Sequence, residues 1–265
     1  SDKELNKDLK RDQKELDELQ RLLYAQDKHS VLLVFQAMDA AGKDSTIRAV
    51  LKGIDPAGCQ VFSFKQPSKE ELDHDFLWRT AKSLPERGRI GVFNRSYYEE
   101  VLVVKVHPEY LAGQRLPFQP DISDSGAMDT FWNHRYESIL DHEKHLARNG
   151  TLVLKFFLNG SREEQHKRFL SRIEDQRENW KFSDSDLKES ALWDQYQSAY
   201  QEALNATSKP WAPWYAIPAD NKALMRNMVC EIIRENLKQL DMEYPQLSDE
   251  ATQKLQSYKS QLIIE

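Results

Sequence analysis

Apolar residues in this chain follow two patterns, one helical and one of short continuous runs. Within residues 1–24, leucines recur mostly three or four positions apart with Lys and Glu between them, which predicts an amphipathic helix. Five short apolar runs then alternate with longer helical patterns, at residues 31–35, 61–64, 90–93, 152–158 and 214–217. Continuous apolar strands separated by helices are typical of parallel sheets covered on both faces. We therefore expect an α/β fold with a five-stranded parallel sheet between two helical layers.

Two polar segments interrupt this alternation. Residues 108–125 are rich in Pro, Gly and Asp and are expected to form a surface loop. Residues 174–189 are polar and charged and lie between two helical patterns. No Gly/Ser-rich linker divides the chain, so the sequence predicts one domain over residues 1–265. The helix of residues 1–24 could pack on that domain or on a partner subunit, and a homo-oligomer is expected.

Composition narrows the class of protein. The 265 residues include 37 Lys and Arg against 43 Asp and Glu, a net charge of −6, which argues against a general nucleic-acid binder. The longest apolar runs have strand length, so no membrane partner is expected. Two cysteines, Cys59 and Cys230, are too few for a disulfide scaffold or a four-cysteine metal site. The first residues lack the apolar segment of a signal peptide, which predicts a cytoplasmic protein.

The sharpest chemical signal follows the first apolar run. Residues 37–43, here called the phosphate loop, join a strand to a helical pattern and end in Gly42-Lys43. This arrangement favours anion binding, because backbone N–H groups at a helix N-terminus point towards the anion. Gly42 permits close approach of the backbone, and Lys43 adds a positive charge at the transferring phosphate. The remaining candidates for phosphate or nucleotide binding in this turn are Ala40, Ala41, Asp44 and Ser45.

The phosphate loop departs from the general motif. Ala37 occupies a glycine position, and Asp44 stands where Ser or Thr is usual, with Ser45 one place later. The same turn could also arise by chance in a strand-to-helix connection. Asp39 is a carboxylate inside an anion-binding loop, an arrangement that electrostatics disfavours unless a cation intervenes. We therefore interpret Asp39 as a ligand of Mg²⁺ or of its water shell.

Two further groups of polar residues are candidates for the same site. Asn94 and Arg95 follow the third run, and in open α/β sheets ligands bind at the carboxyl ends of strands. Arg95 would neutralise charge on a phosphoryl group in transfer. Residues 161–190 form a basic region, interpreted as a lid, in which Phe169, Leu170 and Ile173 supply the apolar helix face. The basic candidates of this lid are Arg168, Arg172, Arg177 and Lys181.

Four ordered motifs together resemble the polyphosphate kinase 2 family. They are Asp39-Ala40-Ala41-Gly42-Lys43-Asp44, Phe93-Asn94-Arg95-Ser96-Tyr97-Tyr98-Glu99, Trp180-Lys181-Phe182-Ser183 and Ala212-Pro213-Trp214-Tyr215-Ala216-Ile217-Pro218-Ala219-Asp220-Asn221-Lys222. The similarity extends from about Leu16 to about Leu240, and the loop looks most like that of the class III subfamily, which uses nucleoside mono- and diphosphates.

The resemblance implies a thymidylate-kinase-like, phosphate-loop kinase fold with a helical lid. It also implies Mg²⁺-dependent, reversible phosphoryl transfer from inorganic polyphosphate to AMP or ADP. By the same resemblance, Asp39 organises metal and phosphates, Lys43 binds the transferring phosphate and Arg95 bridges donor and acceptor. The four basic lid residues then form one side of the polyphosphate channel. Asn94 departs from the Asp of many relatives, and Lys65 is a candidate contact to the acceptor nucleotide.

Two other functions stay open at this stage. A nucleoside monophosphate kinase that takes its phosphoryl group from ATP would use the same fold and loop. A non-catalytic protein that binds nucleotide or polyphosphate as a sensor would also carry the motifs, and the substitutions at Ala37 and Asn94 favour that interpretation. Lys43 and Arg95 together with a basic lid favour an enzyme.

Overall fold

Strand β1 (Ser30–Ala37) is buried along its whole length at the centre of a parallel sheet. The computed structural model describes residues 1–263 and orders the strands β2-β3-β1-β4-β5. The other strands are β2 (Cys59–Ser63), β3 (Ile90–Asn94), β4 (Thr151–Asn159) and β5 (Trp214–Pro218). Every pairing is parallel, and each strand overlaps one of the five apolar runs. The predicted five-stranded parallel sheet is confirmed.

Helices cover both faces of this sheet. In chain order within residues 1–263, helices α1 to α12 span Asp2–Gln26, Lys43–Val50, Lys69–Leu72, Trp78–Ala81, Val103–Val106, Leu111–Gln114, Ser125–Arg148, Arg162–Glu174, Asp184–Ala191, Trp193–Thr207, Lys222–Lys238 and Asp249–Ile263. Short 3₁₀ turns span Pro56–Gly58, Tyr97–Val101, Pro108–Tyr110 and Asn179–Lys181.

Alternate residues of β1 enter two separate hydrophobic cores. Val31, Leu33 and Phe35 pack with residues of α1, α2 and α11 on one face. Leu32 and Val34 pack with residues of α7 and α10 on the other face. A strand buried on both sides has no polar alternation, which is why its sequence is a continuous apolar run. The three-layer α/β architecture follows from this double burial.

Helix α1 packs on α11 of the same chain. Leu9, Leu16 and Leu23 are buried within the first core, at one face of the helix. Asp12 is buried among them and pairs with Arg234 of α11. Of the two packing alternatives, the structure shows the intramolecular one.

The two polar segments contain more helix than the sequence pattern suggests. The first holds the turn Pro108–Tyr110 and α6 before its irregular part, and the second includes the start of α9. Of the expected apolar face of α8, Phe169 is buried, but Leu170 and Ile173 are 60% and 50% exposed, so that face is wrong at these two positions. Gln165 and Arg168 are buried beside Phe169, because this helix packs on polar backbone as well as on apolar side chains.

Within the described range, no helix combines the length and the apolar character needed to cross a membrane.

Candidate active site

The phosphate loop turns sharply between β1 and α2. Gly42 has a φ of +96°, a region that side chains with a Cβ rarely adopt. Ala40 also lies in the left-handed region, with a φ of +61°. Non-glycine residues in this region carry strain and cluster at functional sites, so the loop conformation must be held by its surroundings.

Lys43 begins α2, and its ammonium group folds back over the loop. Its Nζ donates a hydrogen bond to the carbonyl oxygen of Ala37 at 2.9 Å. Burial lowers the pKa of Lys43, and the positive charge of Arg95 lowers it further, while the carboxylate of Asp39 partly offsets both. An anionic phosphate would restore this pKa, so the position favours a negatively charged ligand.

Arg95 reaches the loop because β1 and β3 are adjacent. The register pairs Phe35 with Asn94, which places the following Arg95 beside the loop, with a φ of +63°. Its Nη2 lies 3.3 Å from Oδ1 of Asp39, and its Nη1 lies 3.9 Å from Oε2 of Glu99. The charge of Glu99 is the largest cause of a raised pKa at Arg95, which keeps the guanidinium charged.

Asn94 and Ser45 bind the protein's own groups. The Nδ2 of Asn94 donates to Oδ1 of Asp44 at 2.5 Å and to the hydroxyl of Ser63 at 3.4 Å. The hydroxyl of Ser45 donates to the carbonyl oxygen of Gly42 at 3.0 Å. Asn94 therefore orients the carboxylate of Asp44 at the start of α2.

A cavity of about 620 Å³ opens beside these residues. Asp39 and Arg95 line one part of it, and Lys65 lines another. This volume is within the range of small-molecule sites and is large enough for a nucleotide. The sequence-predicted residues from the first and third strand ends therefore meet at one cavity.

The turn that carries Lys65 is held by an arginine. Arg79 donates from Nη2 to the carbonyl oxygen of Lys65 at 2.6 Å, and its Nε lies 3.7 Å from Glu71. The guanidinium also lies 5.2 Å from the ring centre of Phe64. Arg79 therefore fixes one wall of the cavity.

The basic lid residues divide into two groups. Arg172, Arg177 and Lys181 pair with carboxylates at 3.9, 2.9 and 2.9 Å, respectively, and the side chain of Arg177 is 89% exposed. The pairs of Arg177 and Lys181 are exposed and therefore weak, and the Arg172 pair is long at 3.9 Å, so these cations can exchange their partners for a polyanion. Arg168 differs, because it is only 9% exposed and its guanidinium binds backbone carbonyls near the phosphate loop. The burial of Arg168 was not expected from the sequence, and its place on the lid side of the channel stays a prediction.

The described residues offer a partial site for a divalent cation. No group of three or more His, Cys, Asp or Glu within residues 1–263 could hold a metal ion. Asp39 lines the cavity, and its side chain is 30% exposed. Kinase sites commonly hold Mg²⁺ with one or two carboxylates and the substrate phosphates. The donor set therefore fits a cation shared with bound phosphates.

Sequence reasoning assigned no role to Glu99, Gln165 or Arg79. Glu99 was visible in the motif after β3, but its contact with Arg95 depends on the turn that follows the strand. Gln165 stands three positions before Arg168 on α8, a spacing that could have suggested a shared face. Nothing in the sequence around Arg79 indicates that it binds the carbonyl of Lys65.

Known proteins resemble this chain over most of its length. The family model of polyphosphate kinase 2 (PPK2) matches residues 1–247. The chain is 54% identical to an ADP-polyphosphate phosphotransferase of Rhodopseudomonas palustris, over 94% of this chain and 84% of that protein. It is 45% identical to an AMP/ADP-polyphosphate phosphotransferase of Meiothermus ruber, over 87% of this chain and 80% of that protein.

A solved structure agrees with these sequence relatives. The crystal structure of polyphosphate kinase 2 from Arthrobacter aurescens TC1 matches with a TM-score of 0.85 and 35% identity. The match covers 97% of this chain and 85% of that one. Fold, sequence and motifs thus agree, and the chain belongs to the polyphosphate kinase 2 family.

Proposed function

We propose that this protein transfers the terminal phosphoryl group of inorganic polyphosphate to AMP and to ADP, reversibly. The observation that carries the proposal is the meeting of Asp39 and Arg95 at one cavity, where Lys43 binds the carbonyl of Ala37 in the cavity wall. The names of the two sequence relatives support the choice of donor and of adenine nucleotides as acceptors.

The acceptor nucleotide occupies the cavity, with its phosphate end towards Arg95 and the phosphate loop. Lys65 and the turn held by Arg79 form the wall beside the nucleoside. Arg172, Arg177 and Lys181 bind the donor chain from the lid by exchanging their carboxylate partners for phosphates.

Transfer is an in-line displacement without a covalent enzyme intermediate. The acceptor phosphate is itself ionised near neutral pH, so a strong general base is not needed. Lys43 and the loop N–H groups hold the transferring phosphate, and Arg95 lies between donor and acceptor. The carboxylate of Glu99 lies beside the guanidinium of Arg95, and Asn94 orients Asp44 at the edge of the same site.

Mg²⁺ is the cation that we propose for this site. Asp39 would hold it together with the phosphates, and the ion would neutralise charge that develops during transfer. In its absence Asp39 and Arg95 compensate each other's charge at 3.3 Å.

The test uses AMP or ADP as acceptor, Mg²⁺, and either polyphosphate or ATP as the sole donor. We expect ADP and ATP to form with polyphosphate, and formation to stop on chelation with EDTA and resume with added Mg²⁺. Turnover with ATP alone would make the protein a nucleoside monophosphate kinase. Nucleotide binding without turnover from either donor would support the sensor function, and turnover from ADP only would restrict the acceptor.

A further inference from the structure

Side chains of α8 bind three consecutive carbonyl groups of the phosphate loop. Gln165 donates from Nε2 to the carbonyl oxygen of Asp39 at 3.0 Å. Arg168 donates from Nη1 to the carbonyl oxygens of Ala40 and Ala41 at 3.2 and 2.8 Å. The two side chains lie three positions apart and therefore share one face of the helix.

The guanidinium of Arg168 is fully engaged by the protein. Besides the loop carbonyls, its Nη2 donates to the carbonyl oxygen of Ala219 at 2.6 Å, just after β5. Its Nε donates to Glu164 at 2.9 Å. Each of the three guanidinium nitrogens thus has a partner, and the side chain is 10% exposed. Such a group is placed to fix backbone rather than to bind a substrate in the channel.

The conformation of the phosphate loop explains why its carbonyl groups need hydrogen-bond donors from α8. A loop that points its N–H groups at a phosphate turns its carbonyls outwards, where they need donors. Ala40 is held in the left-handed region with a φ of +61°, and its own carbonyl is one of those that Arg168 binds. Contacts from α8 thus restrain the residue whose conformation is strained.

The same helix face also connects to the wall of the nucleotide cavity. Ser190 of α9 donates to Oε1 of Gln165 at 2.7 Å. Asp186 and Glu189, on the same short helix, line the cavity. Gln165 itself lines the cavity, so its two hydrogen bonds join α9 and the cavity wall to the carbonyl of Asp39.

We propose that Gln165 and Arg168 are positioning residues that hold the carbonyl groups of the phosphate loop, so that the base of the lid sets the geometry of phosphate transfer. This inference rests on the phosphate-binding role proposed above for the loop. It gives Arg168 a role distinct from that of Arg172, Arg177 and Lys181, which meet the donor chain. Loss of the Arg168 guanidinium would displace the bound phosphate without removing a group that lines the cavity.

The test compares Arg168→Met and Arg168→Lys with Lys167→Met, whose side chain is 80% exposed on the same helix. We expect Arg168→Met to lower kcat about 100-fold, because small displacements of a reacting group have effects of this size. KM for AMP and for polyphosphate should stay within about threefold of the original. Arg168→Lys should recover part of kcat, and Lys167→Met should match the unmodified protein.

Two outcomes would overturn the inference. A raised KM for polyphosphate with an unchanged kcat would make Arg168 a direct channel contact, and an unchanged kcat and KM would deny it any role. Folding is checked by circular dichroism and thermal melting. If Arg168→Met does not fold, Gln165→Leu tests the same inference. Its kcat is expected to be about tenfold lower at unchanged KM.

Lys43→Met in the same assay separates this inference from the proposed function. Loss of turnover in Lys43→Met with normal kcat in the α8 variants would overturn only the positioning role of Gln165 and Arg168. Normal turnover in Lys43→Met would overturn the role of the phosphate loop itself.

Discussion

Lys155 and Lys43 differ in how many of their hydrogen-bond donors the protein itself uses. Lys155 of β4 is fully buried, and its Nζ donates to Glu143 at 2.5 Å, to the hydroxyl of Tyr98 at 2.9 Å and to the carbonyl of Thr207 at 3.0 Å. Lys43, among the described residues, donates one hydrogen bond, to the carbonyl of Ala37. Burial is the main cause that lowers the pKa of both lysines.

The difference teaches that a shifted pKa does not by itself indicate function. An ammonium group has three donors, and the contacts of Lys155 use all of them within the protein. Lys43 keeps donors for a ligand, and its one protein partner, the carbonyl of Ala37, belongs to a residue that lines the cavity. Spare hydrogen-bonding capacity, rather than burial, therefore marks the lysine that can act on a substrate.

The largest expected effect is on catalysis at the phosphate loop. Lys43→Met should lower kcat about 1000-fold, because it removes a positive charge from the transferring phosphate. The free energy of unfolding should change little, since the ammonium has a single intramolecular hydrogen bond. Steady-state assays with polyphosphate and AMP, beside urea denaturation, measure both quantities. Lys52→Met, exposed just after α2, is the control and should keep full activity.

The second effect is on stability at the buried pair. Lys155→Met should lower the free energy of unfolding by about 3–5 kcal/mol, because it leaves the Glu143 carboxylate buried without its partner. The kcat of the folded protein should stay unchanged. Urea denaturation measures the free energy of unfolding, and an assay at low temperature measures the kcat of the folded protein. A Lys155→Met protein of normal stability but low kcat would break the comparison between the lysines.

The third effect concerns the partner of Lys43 in transfer. Arg95→Met should lower kcat about 100-fold while KM for AMP rises much less, because Arg95 meets charge that develops in the transition state. Initial rates over a range of AMP and polyphosphate concentrations give both constants. Arg21→Met, exposed on α1, serves as the control. A rise in KM with a matching fall in kcat/KM, and with kcat unchanged, would show that Arg95 contributes only to ground-state binding.

The smallest effect is on the pH profile. The pKa of Lys43 is lowered from its ordinary 10.5, so its ammonium loses its proton at a lower pH than a free lysine would. Since the charged form binds phosphate, kcat/KM should fall on the alkaline side before pH 10.5 is reached. Bound phosphates raise this pKa, so kcat should persist to higher pH. In Lys43→Arg the residual kcat/KM should lack this alkaline limb, and a limb retained in that variant would assign it to another group.

Local patterns predicted much of the fold and the centre of the site. Strands β1 and β3 were visible because they are buried along their whole length, whereas β2 and β5, at the edges of the sheet, are only partly buried and were visible from their short apolar runs. The positions of Lys43 and Arg95 followed from strand ends and from family motifs. The burial of Arg168 was not predicted, since its basic neighbours gave no sign that it alone is buried.

The sequence by itself determined the sheet, the phosphate loop and the family, since these depend on short, contiguous patterns. Only the tertiary structure decided that α1 packs on α11 and that Arg79 holds the turn at Lys65. It alone decided that Gln165 and Arg168 bind the loop carbonyls. The physical reason is that these contacts join residues far apart in the chain, where the partner of a polar side chain is set by packing rather than by its neighbours in sequence.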